Sequence, residues 1–235
     1  MKPFTINIPI YNEEEILARN IETLIPLLSR SAGEYEIIIV SNGSTDQSDR
    51  LGKQLAAKYP QLRFYSLPQK GVGRAFRKAV KEASYEHIIS LDIDLSIDLA
   101  FLKQASSLLE EHCLVIGSKI AGTQKRSLVR KIGSGIYIYL SRFLLGINLH
   151  DFSIGAKGFQ RSFVLKNLDC VDDYTSYVLN LAAAAKKTNK KIIEIPVHCE
   201  DFRESKFNLM AEAIYRFAML FKLAIAFWQR PRSSI

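Results

Sequence analysis

Short apolar runs alternate with helically spaced apolar residues through the first half of the chain. Residues 4–10 alternate like a strand, residues 13–28 repeat apolar side chains at helical spacing, and residues 36–40 form a β-branched run. The same rhythm predicts helices at 46–58, 72–83 and 98–111 and strands at 62–67, 87–91 and 113–117. Such alternation predicts an α/β fold whose mostly parallel central sheet is covered by helices on both faces.

The rhythm changes after residue 118. A basic stretch leads into an apolar, aromatic segment at 136–145, and the pattern then predicts a strand at 155–160, a helix at 175–187 and a strand at 192–197. The end of the chain predicts a long amphipathic helix with an apolar stripe made of Met210, Ile214, Phe217, Phe221, Ile225 and Trp228. We expect one domain at 1–206, followed by this helix and a basic tail at 207–235.

Composition narrows the class of protein. Hydrophobic residues make up 48% of the 235 positions, which is enough for a buried core. No stretch approaches the roughly 18 apolar residues of a membrane-spanning helix, and the chain begins without a cleavable signal pattern, so we expect a cytoplasmic location. Three widely spaced cysteines without a CxxC pattern indicate reduced thiols rather than a disulfide framework or a zinc site.

The formal net charge is +8, and the excess of basic residues lies in the second half of the chain. Such an excess suits an anionic substrate, an anionic membrane surface or nucleic acid, and it also occurs on ordinary solvated surfaces. The basic residues form no recognised nucleic-acid module, so nucleic acid is not an expected partner.

Two carboxylates, Asp92 and Asp94, follow the fourth predicted strand. Ligands bind to parallel sheets at the carboxyl ends of the strands. There, two carboxylates can share one Mg²⁺ or Mn²⁺ with the phosphates of a substrate. The structural alternative is that Asp94 or Asp98 caps the next helix.

The loops after the first three predicted strands are also polar, and they span residues 9–14, 41–46 and 69–75. The third loop lacks the last glycine of a dinucleotide fingerprint and follows the wrong strand, which excludes a Rossmann assignment. Its glycines next to Lys70 and Arg74 fit phosphate contact better.

Together these motifs resemble family-2 glycosyltransferases with the GT-A fold. The matching segments are Pro9-x-Tyr11-Asn12-Glu13, Asn42-Gly43-Ser44-Thr45-Asp46, Lys70-Gly71-x-Gly73-x-Ala75, Asp92-x-Asp94-Leu95-Ser96 and Gly117-Ser118-Lys119. Later segments are similar to the branch of dolichyl-phosphate mannose synthases and related polyprenyl-phosphate sugar transferases. They are Asp151-x-Ser153-x-Gly155-x-Lys157, Glu194-Ile195-Pro196-Val197 and Phe202-Arg203-Glu204-Ser205-Lys206. The resemblance covers residues 4–207.

The resemblance implies a metal-dependent, inverting transferase that moves a hexose from a GDP- or UDP-sugar to a polyprenyl phosphate at the cytoplasmic membrane face. It assigns Asp92 and Asp94 to Mg²⁺ or Mn²⁺ and assigns Lys119, Arg203 and Lys206 to the donor diphosphate or the acceptor phosphate. The residues it implies for donor binding are Pro9, Tyr11, Glu13, Asn42, Lys70, Gly71, Gly73 and Asp92. The chemistry agrees, because an acceptor phosphate is already a nucleophile near neutral pH and needs cations more than a general base.

Two positions depart from the family pattern. Ser41-Asn42 stands where relatives commonly carry two acidic residues, and Asn180 stands where they carry one acidic residue on a helix. Asp172 and Asp173 lie near Asn180 in sequence and are candidates to replace it. Changed donor specificity, changed acceptor specificity and lost activity are all compatible with these departures.

Two amphipathic, cation-bearing segments, 127–149 and 207–228, suit peripheral contact with a membrane, with Arg230 and Arg232 at the end of the second. The same stripe also suits a helix that packs on its own domain or on a second copy in a homo-oligomer.

Two other functions remain as alternatives. The first is a family-2 transferase with a hydroxyl acceptor on a glycan, glycolipid or protein, which would need a carboxylate base such as Asp172 or Asp173. The second is a degenerate domain that binds nucleotide without catalysis, which the departures at Asn42 and Asn180 suggest.

Overall fold

The structure is a computed structural model, and it describes residues 2–31, 33–119, 128–198 and 209–229. Its strands are β1 (Phe4–Ile10), β2 (Tyr35–Asn42), β3 (Leu62–Leu67), β4 (His87–Ser90), β5 (Leu114–Ser118), β6 (Lys157–Gln160) and β7 (Ile192–Pro196). Its helices are α1 (Leu17–Ser31), α2 (Ser48–Lys58), α3 (Val72–Glu82), α4 (Ala100–Leu108), α5 (Leu128–Leu145), α6 (Arg161–Lys166), α7 (Tyr177–Lys187) and α8 (Leu209–Gln229). A 3₁₀ turn, Leu168–Cys170, precedes α7.

The strands form one sheet in the order β3-β2-β1-β4-β6-β5-β7. All neighbouring strands are parallel except at β6, which runs antiparallel to both β4 and β5. The predicted α/β fold with a mostly parallel sheet is therefore confirmed. Because β6 runs the opposite way, its first residue, Lys157, lies beside Ser90, the last residue of β4.

The core lies on both faces of the sheet. Consecutive residues are buried along most of β1 and β2, which is possible only where both faces are covered. Fully enclosed isoleucines such as Ile6, Ile8 and Ile38 each contribute about 1.5–3 kcal/mol relative to an exposed side chain. The rings of Phe76 and Tyr177 stack at 4.6 Å and connect α3 to α7.

Several helices, α1, α2, α4 and α7 among them, begin later than the sequence pattern predicts. α1 begins at Leu17 rather than at residue 13, and ahead of it the backbone N–H groups of Glu13 and Glu14 donate to the side chains of Ser48 and Asp46. α4 begins at Ala100, whose N–H donates to Asp98 Oδ1 at 2.8 Å. Asp98 therefore caps the start of α4.

α5 and α8 lie against each other. The rings of Tyr137 and Phe217 meet edge to face at 5.5 Å, and Trp228 Nε1 donates to Leu144 O at 2.8 Å. Leu220 and Ala224 of α8 are buried. Most of the predicted apolar stripe of α8 is exposed: Met210, Ile214, Phe221, Ile225 and Trp228.

Candidate functional site

The polar loops that follow β1, β2, β3 and β4 meet at one edge of the sheet. The parallel register of β1 with β2 and β4, and of β2 with β3, brings their carboxyl ends together. This is the edge at which open α/β sheets bind ligands. Most of the predicted site residues therefore lie in neighbouring loops.

Asn42 fastens three of these loops. Its Nδ2 donates to Ile10 O at 2.7 Å, and its Oδ1 accepts the N–H of Gly71 at 3.0 Å. Next to it, Gly43 has φ +79° and donates its N–H to Leu67 O at 2.9 Å. Asn42 is only 5% exposed, so its clearest role is to hold the ends of β1 and β2 against the start of α3. Its contact with a nucleotide base remains a prediction.

Tyr11 and Lys70 bring the first and third loops into contact. Lys70 Nζ lies 3.8 Å from the centroid of the Tyr11 ring, within the range of a cation–π interaction. Pro9 is placed in β1, opposite Val40 of β2. Glu13 lies in the same first loop, where its N–H donates to Ser48 Oγ at 2.8 Å. Nucleotide binding by these residues remains a prediction.

Gly71 and Gly73 allow a distant backbone segment to approach the start of α3. A Cβ on Gly71 would lie 2.4 Å from Asp173 O, and one on Gly73 would lie 2.0 Å from Asp172 O. The N–H groups of Gly73 and Arg74 donate to Asp173 O at 3.0 and 3.2 Å. The observed function of these two glycines is close packing, and their predicted contact with phosphate stays a prediction.

Replacing Gly73 by alanine should destabilise the fold by about 1–3 kcal/mol, because the new methyl group must displace backbone rather than a side-chain tip. Urea unfolding measures the change. The matched control is Gly133→Ala in α5, where no atom lies within 4 Å of the added Cβ. Equal stability of the two variants would contradict the proposed close approach of residues 172–173.

Asp92 and Asp94 follow β4 at the centre of the site edge. The Asp92 side chain is exposed and lies against Gly155, because a Cβ on that glycine would be 2.2 Å from Asp92 Oδ2. Asp94 is half-buried, and its Oδ1 accepts the N–H of Ser96 at 3.0 Å. Asn20 fixes the same loop by donating to Ile93 O at 2.9 Å. The two predicted metal ligands thus stand together at this edge.

Lys157 is a site residue to which the sequence analysis gave no role. It begins β6 between Ser90 of β4 and Ile116 of β5, and it is 8% exposed. Burial lowers the pKa of Lys157 to about 8, and the Asp92 carboxylate partly offsets this effect. The sequence feature that pointed to Lys157 is the Gly155-x-Lys157 motif. Ligand-binding residues are expected after the parallel strands, and that expectation misses the first residue of an antiparallel strand.

Other cations stand around Lys157. Arg216 of α8 and Lys119, which follows β5, both act electrostatically to lower its pKa further. The predicted site residues Arg203 and Lys206 lie outside the described residues. The described part of the site therefore combines two carboxylates with three nearby cations.

Asp172 and Asp173 are already engaged by protein groups. Asp173 forms ion pairs with Arg74 and Arg77 of α3. Asp172 Oδ2 accepts the hydroxyl of Tyr215 at 2.5 Å and the N–H of Tyr174 at 2.9 Å. Their observed contacts join the segment before α7 to α3 and α8.

Asn180 also has a structural contact. Its Nδ2 donates to Cys170 O at 2.9 Å, which fixes the 3₁₀ turn ahead of α7. The departure from the family pattern at this position therefore coincides with a local hydrogen bond.

Solved structures with this fold include glucosyl-3-phosphoglycerate synthase from Mycobacterium tuberculosis. Its complex with UDP matches with a TM-score of 0.68 at 20% identity, covering 95% of this chain and 80% of that one. Its complex with Mn²⁺, UDP and glucosyl-3-phosphoglycerate matches with a TM-score of 0.69 at 18% identity and the same coverage. These likenesses confirm the predicted GT-A fold.

Proteins similar in sequence include undecaprenyl-phosphate 4-deoxy-4-formamido-L-arabinose transferases. Those of Photorhabdus laumondii and Yersinia enterocolitica are 29% and 30% identical over 215 residues, which is 89% of this chain and 64% of each relative. Glycosyltransferase AglD of Haloferax volcanii is 24% identical over 239 residues, 97% of this chain and 38% of that protein. The chain therefore spans less than two thirds of the length of these relatives.

The family model for glycosyl transferase family 2 matches residues 5–168, from β1 to the start of the 3₁₀ turn. This region contains the three polar loops, both predicted metal ligands and Lys157. The matched region covers well over half of the chain. The match agrees with the resemblance of the sequence motifs to family-2 glycosyltransferases. The chain belongs to glycosyl transferase family 2.

Proposed function

We propose that this chain transfers a hexose, with inversion, from a GDP- or UDP-sugar to a polyprenyl phosphate at the cytoplasmic face of a membrane. The observation that carries the proposal concerns α8. This helix exposes apolar side chains, and its Arg216 lies within electrostatic reach of Lys157 beside Asp92. An exposed apolar surface and the carboxylate site thus adjoin each other, which supports an acceptor with a lipid tail and a phosphate head.

The carboxylates fit a divalent metal. Mg²⁺ in substrate sites is commonly held by one or two carboxylates together with substrate phosphates and water. Asp92 and Asp94 supply that number, and the residues that the structure describes contain no cluster of three His, Cys, Asp or Glu side chains. When bound, Mg²⁺ or Mn²⁺ would stabilise negative charge on the departing nucleoside diphosphate.

The acceptor chemistry favours a phosphate over a hydroxyl. A phosphate oxygen attacks the anomeric carbon as the bond to the diphosphate oxygen breaks, and near neutral pH no proton has to be removed first. A hydroxyl acceptor would need a carboxylate base, yet Asp173 is paired with two arginines and Asp172 Oδ2 accepts protein donors. Fixed cations near Asp92 instead suit two anionic substrates.

The exposed apolar side chains of α5 and α8 form what we call the α5–α8 apolar surface. Its members are Ile136, Tyr139, Phe143, Met210, Ile214, Phe221, Ile225 and Trp228. Helices that lie in the headgroup region bind membranes by inserting such aromatic and aliphatic side chains into the lipid. Among the described residues, no helix is long and apolar enough to cross a bilayer.

Ile214→Glu should weaken binding to zwitterionic phospholipid vesicles by at least about fivefold, because a charge replaces an aliphatic side chain proposed to enter the lipid. Sedimentation with vesicles measures the change, and uncharged lipid removes simple charge repulsion from the comparison. Leu165→Glu in α6 is the matched control, since Leu165 is also an exposed aliphatic side chain, 36% accessible, on another helix. Equal binding of both variants would place the lipid contact elsewhere.

The proposed reaction is tested by incubating the full chain with labelled GDP- and UDP-sugars, Mn²⁺ or Mg²⁺, and a polyprenyl phosphate in vesicles. We expect label in the organic extract with one donor and none after chelation of the metal. Slow hydrolysis of a donor without lipid product would move the acceptor to another class. Binding of nucleotide without any turnover would support the degenerate alternative.

A further inference from the structure

Lys157 is a buried cation without a hydrogen-bonding acceptor in the described part of the chain. Its side chain is 8% exposed, and its ammonium lies 5.3 Å from the centroid of the Tyr177 ring. Burial and neighbouring charges shift the pKa of Lys157, but no hydrogen bond contributes to this shift. Burying an unpaired charge is costly, so such a group is usually completed by a counter-ion or a ligand.

A second cation approaches from α8. Arg216 is fixed through its Nε, which donates to Glu212 Oε1 at 2.8 Å and contacts Thr175 Oγ1 at 3.3 Å. Its two terminal nitrogens form no hydrogen bond with any residue that the structure describes. Thr175 lies two residues before Tyr177, whose ring faces the Lys157 ammonium, so both cations approach the same start of α7.

The fold places Lys157 close to Asp92. Lys157 follows Gly155 by two residues, and Gly155 contacts the Asp92 carboxylate. The antiparallel course of β6 sets Lys157 beside the last residue of β4, immediately before the loop that carries Asp92. The carboxylates of Asp92 and Asp151 partly balance Lys157, and Glu212 pairs with the Nε of Arg216. The ammonium of Lys157 and the terminal nitrogens of Arg216 are the donors left for a further anion.

We propose that Lys157 and Arg216 together bind a phosphoryl oxyanion of a substrate beside Asp92. This inference rests on the proposed function, which supplies two sources of that chemistry. One is the diphosphate of the donor, and the other is the phosphate monoester of the acceptor. The pair is held from both sides of the site, with Lys157 on the sheet and Arg216 on the helix that carries the α5–α8 apolar surface.

The test measures two affinities by calorimetry in Lys157→Met, Lys157→Arg and Arg216→Gln. One arm uses UDP with Mn²⁺, and the other uses farnesyl phosphate, a soluble polyprenyl monophosphate. We expect Lys157→Met and Arg216→Gln each to weaken the same ligand by at least about tenfold, and Lys157→Arg to retain most of its affinity. Loss in the UDP arm assigns the donor diphosphate, and loss in the farnesyl phosphate arm assigns the acceptor phosphate.

Lys222→Met is the matched control, because Lys222 is an exposed lysine on α8 beyond Arg216. A lysine that served only the fold would lower the melting temperature on replacement by methionine and leave both affinities of the folded protein unchanged. That result, or equal affinities in all variants, would overturn the inference. Binding is measured without turnover, so a failure to form a lipid-linked sugar would count against the proposed function alone.

Discussion

Asp92→Asn should lower kcat/KM for sugar transfer by at least about 100-fold, because it removes one of two carboxylates proposed to hold the metal. The substitution keeps the size of the side chain, and Asp92 is exposed, so the free energy of unfolding should change by less than about 0.5 kcal/mol. Initial rates at saturating metal, together with urea unfolding, measure both quantities.

Asp98→Asn is the matched control for this experiment. Asp98 follows the same strand and is exposed, but its Oδ1 accepts the N–H of Ala100 at the start of α4. We expect transfer within about twofold of the unmodified protein and a loss of stability of no more than about 1 kcal/mol. Full activity in Asp92→Asn would contradict the assignment of the metal site.

Gly155→Ala should lower the rate of transfer by at least about tenfold while the fold is kept, because its methyl group would stand 2.2 Å from Asp92 Oδ2. The carboxylate, as the end of a side chain, can turn away, and this movement would take it from the proposed metal position. A higher Mn²⁺ concentration for half-maximal rate is the specific readout.

The control for Gly155→Ala is Gly135→Ala in α5, where no atom lies within 4 Å of an added Cβ. A double variant sharpens the test. If Gly155 acts through Asp92, Gly155→Ala should add little to the loss already caused by Asp92→Asn, because coupled residues are not additive. Fully multiplicative losses would show that Gly155 affects activity by another route.

The strand and helix order of the first half was predictable because buried parallel strands and amphipathic helices have different periods. The same pattern placed the loops that carry Tyr11, Asn42 and Asp92 at one edge of the sheet, and the structure confirms that edge. Local periodicity does not reveal strand direction, however. The reversed course of β6, and with it the place of Lys157, depends on pairing between segments far apart in sequence.

The glycines at the start of α3 show a second limit. Their position next to Lys70 indicated a phosphate loop, since glycine-rich turns before helices often bind anions. In the structure the backbone of residues 172–173 occupies the space beside Gly71 and Gly73. That contact joins positions about 100 residues apart, and no local sequence pattern predicts it.

The C-terminal helix shows a third limit. An apolar stripe indicates that one face of a helix is apolar and the other polar. It does not indicate which face packs on the domain. Here Glu212, Tyr215 and Arg216 turn towards the domain and find partners, while Ile214 and Ile225 are 65% and 59% exposed. Specific polar contacts thus fix the orientation of α8.

The preference for a phosphate acceptor is tested by comparing two acceptors of equal chain length, undecaprenyl phosphate and undecaprenol, in the same vesicles with the same donor and Mn²⁺. We predict a lipid-linked sugar with the phosphate and none with the alcohol, because the site offers cations where an alcohol would need a base. Sugar transfer to undecaprenol at a comparable rate would contradict the account.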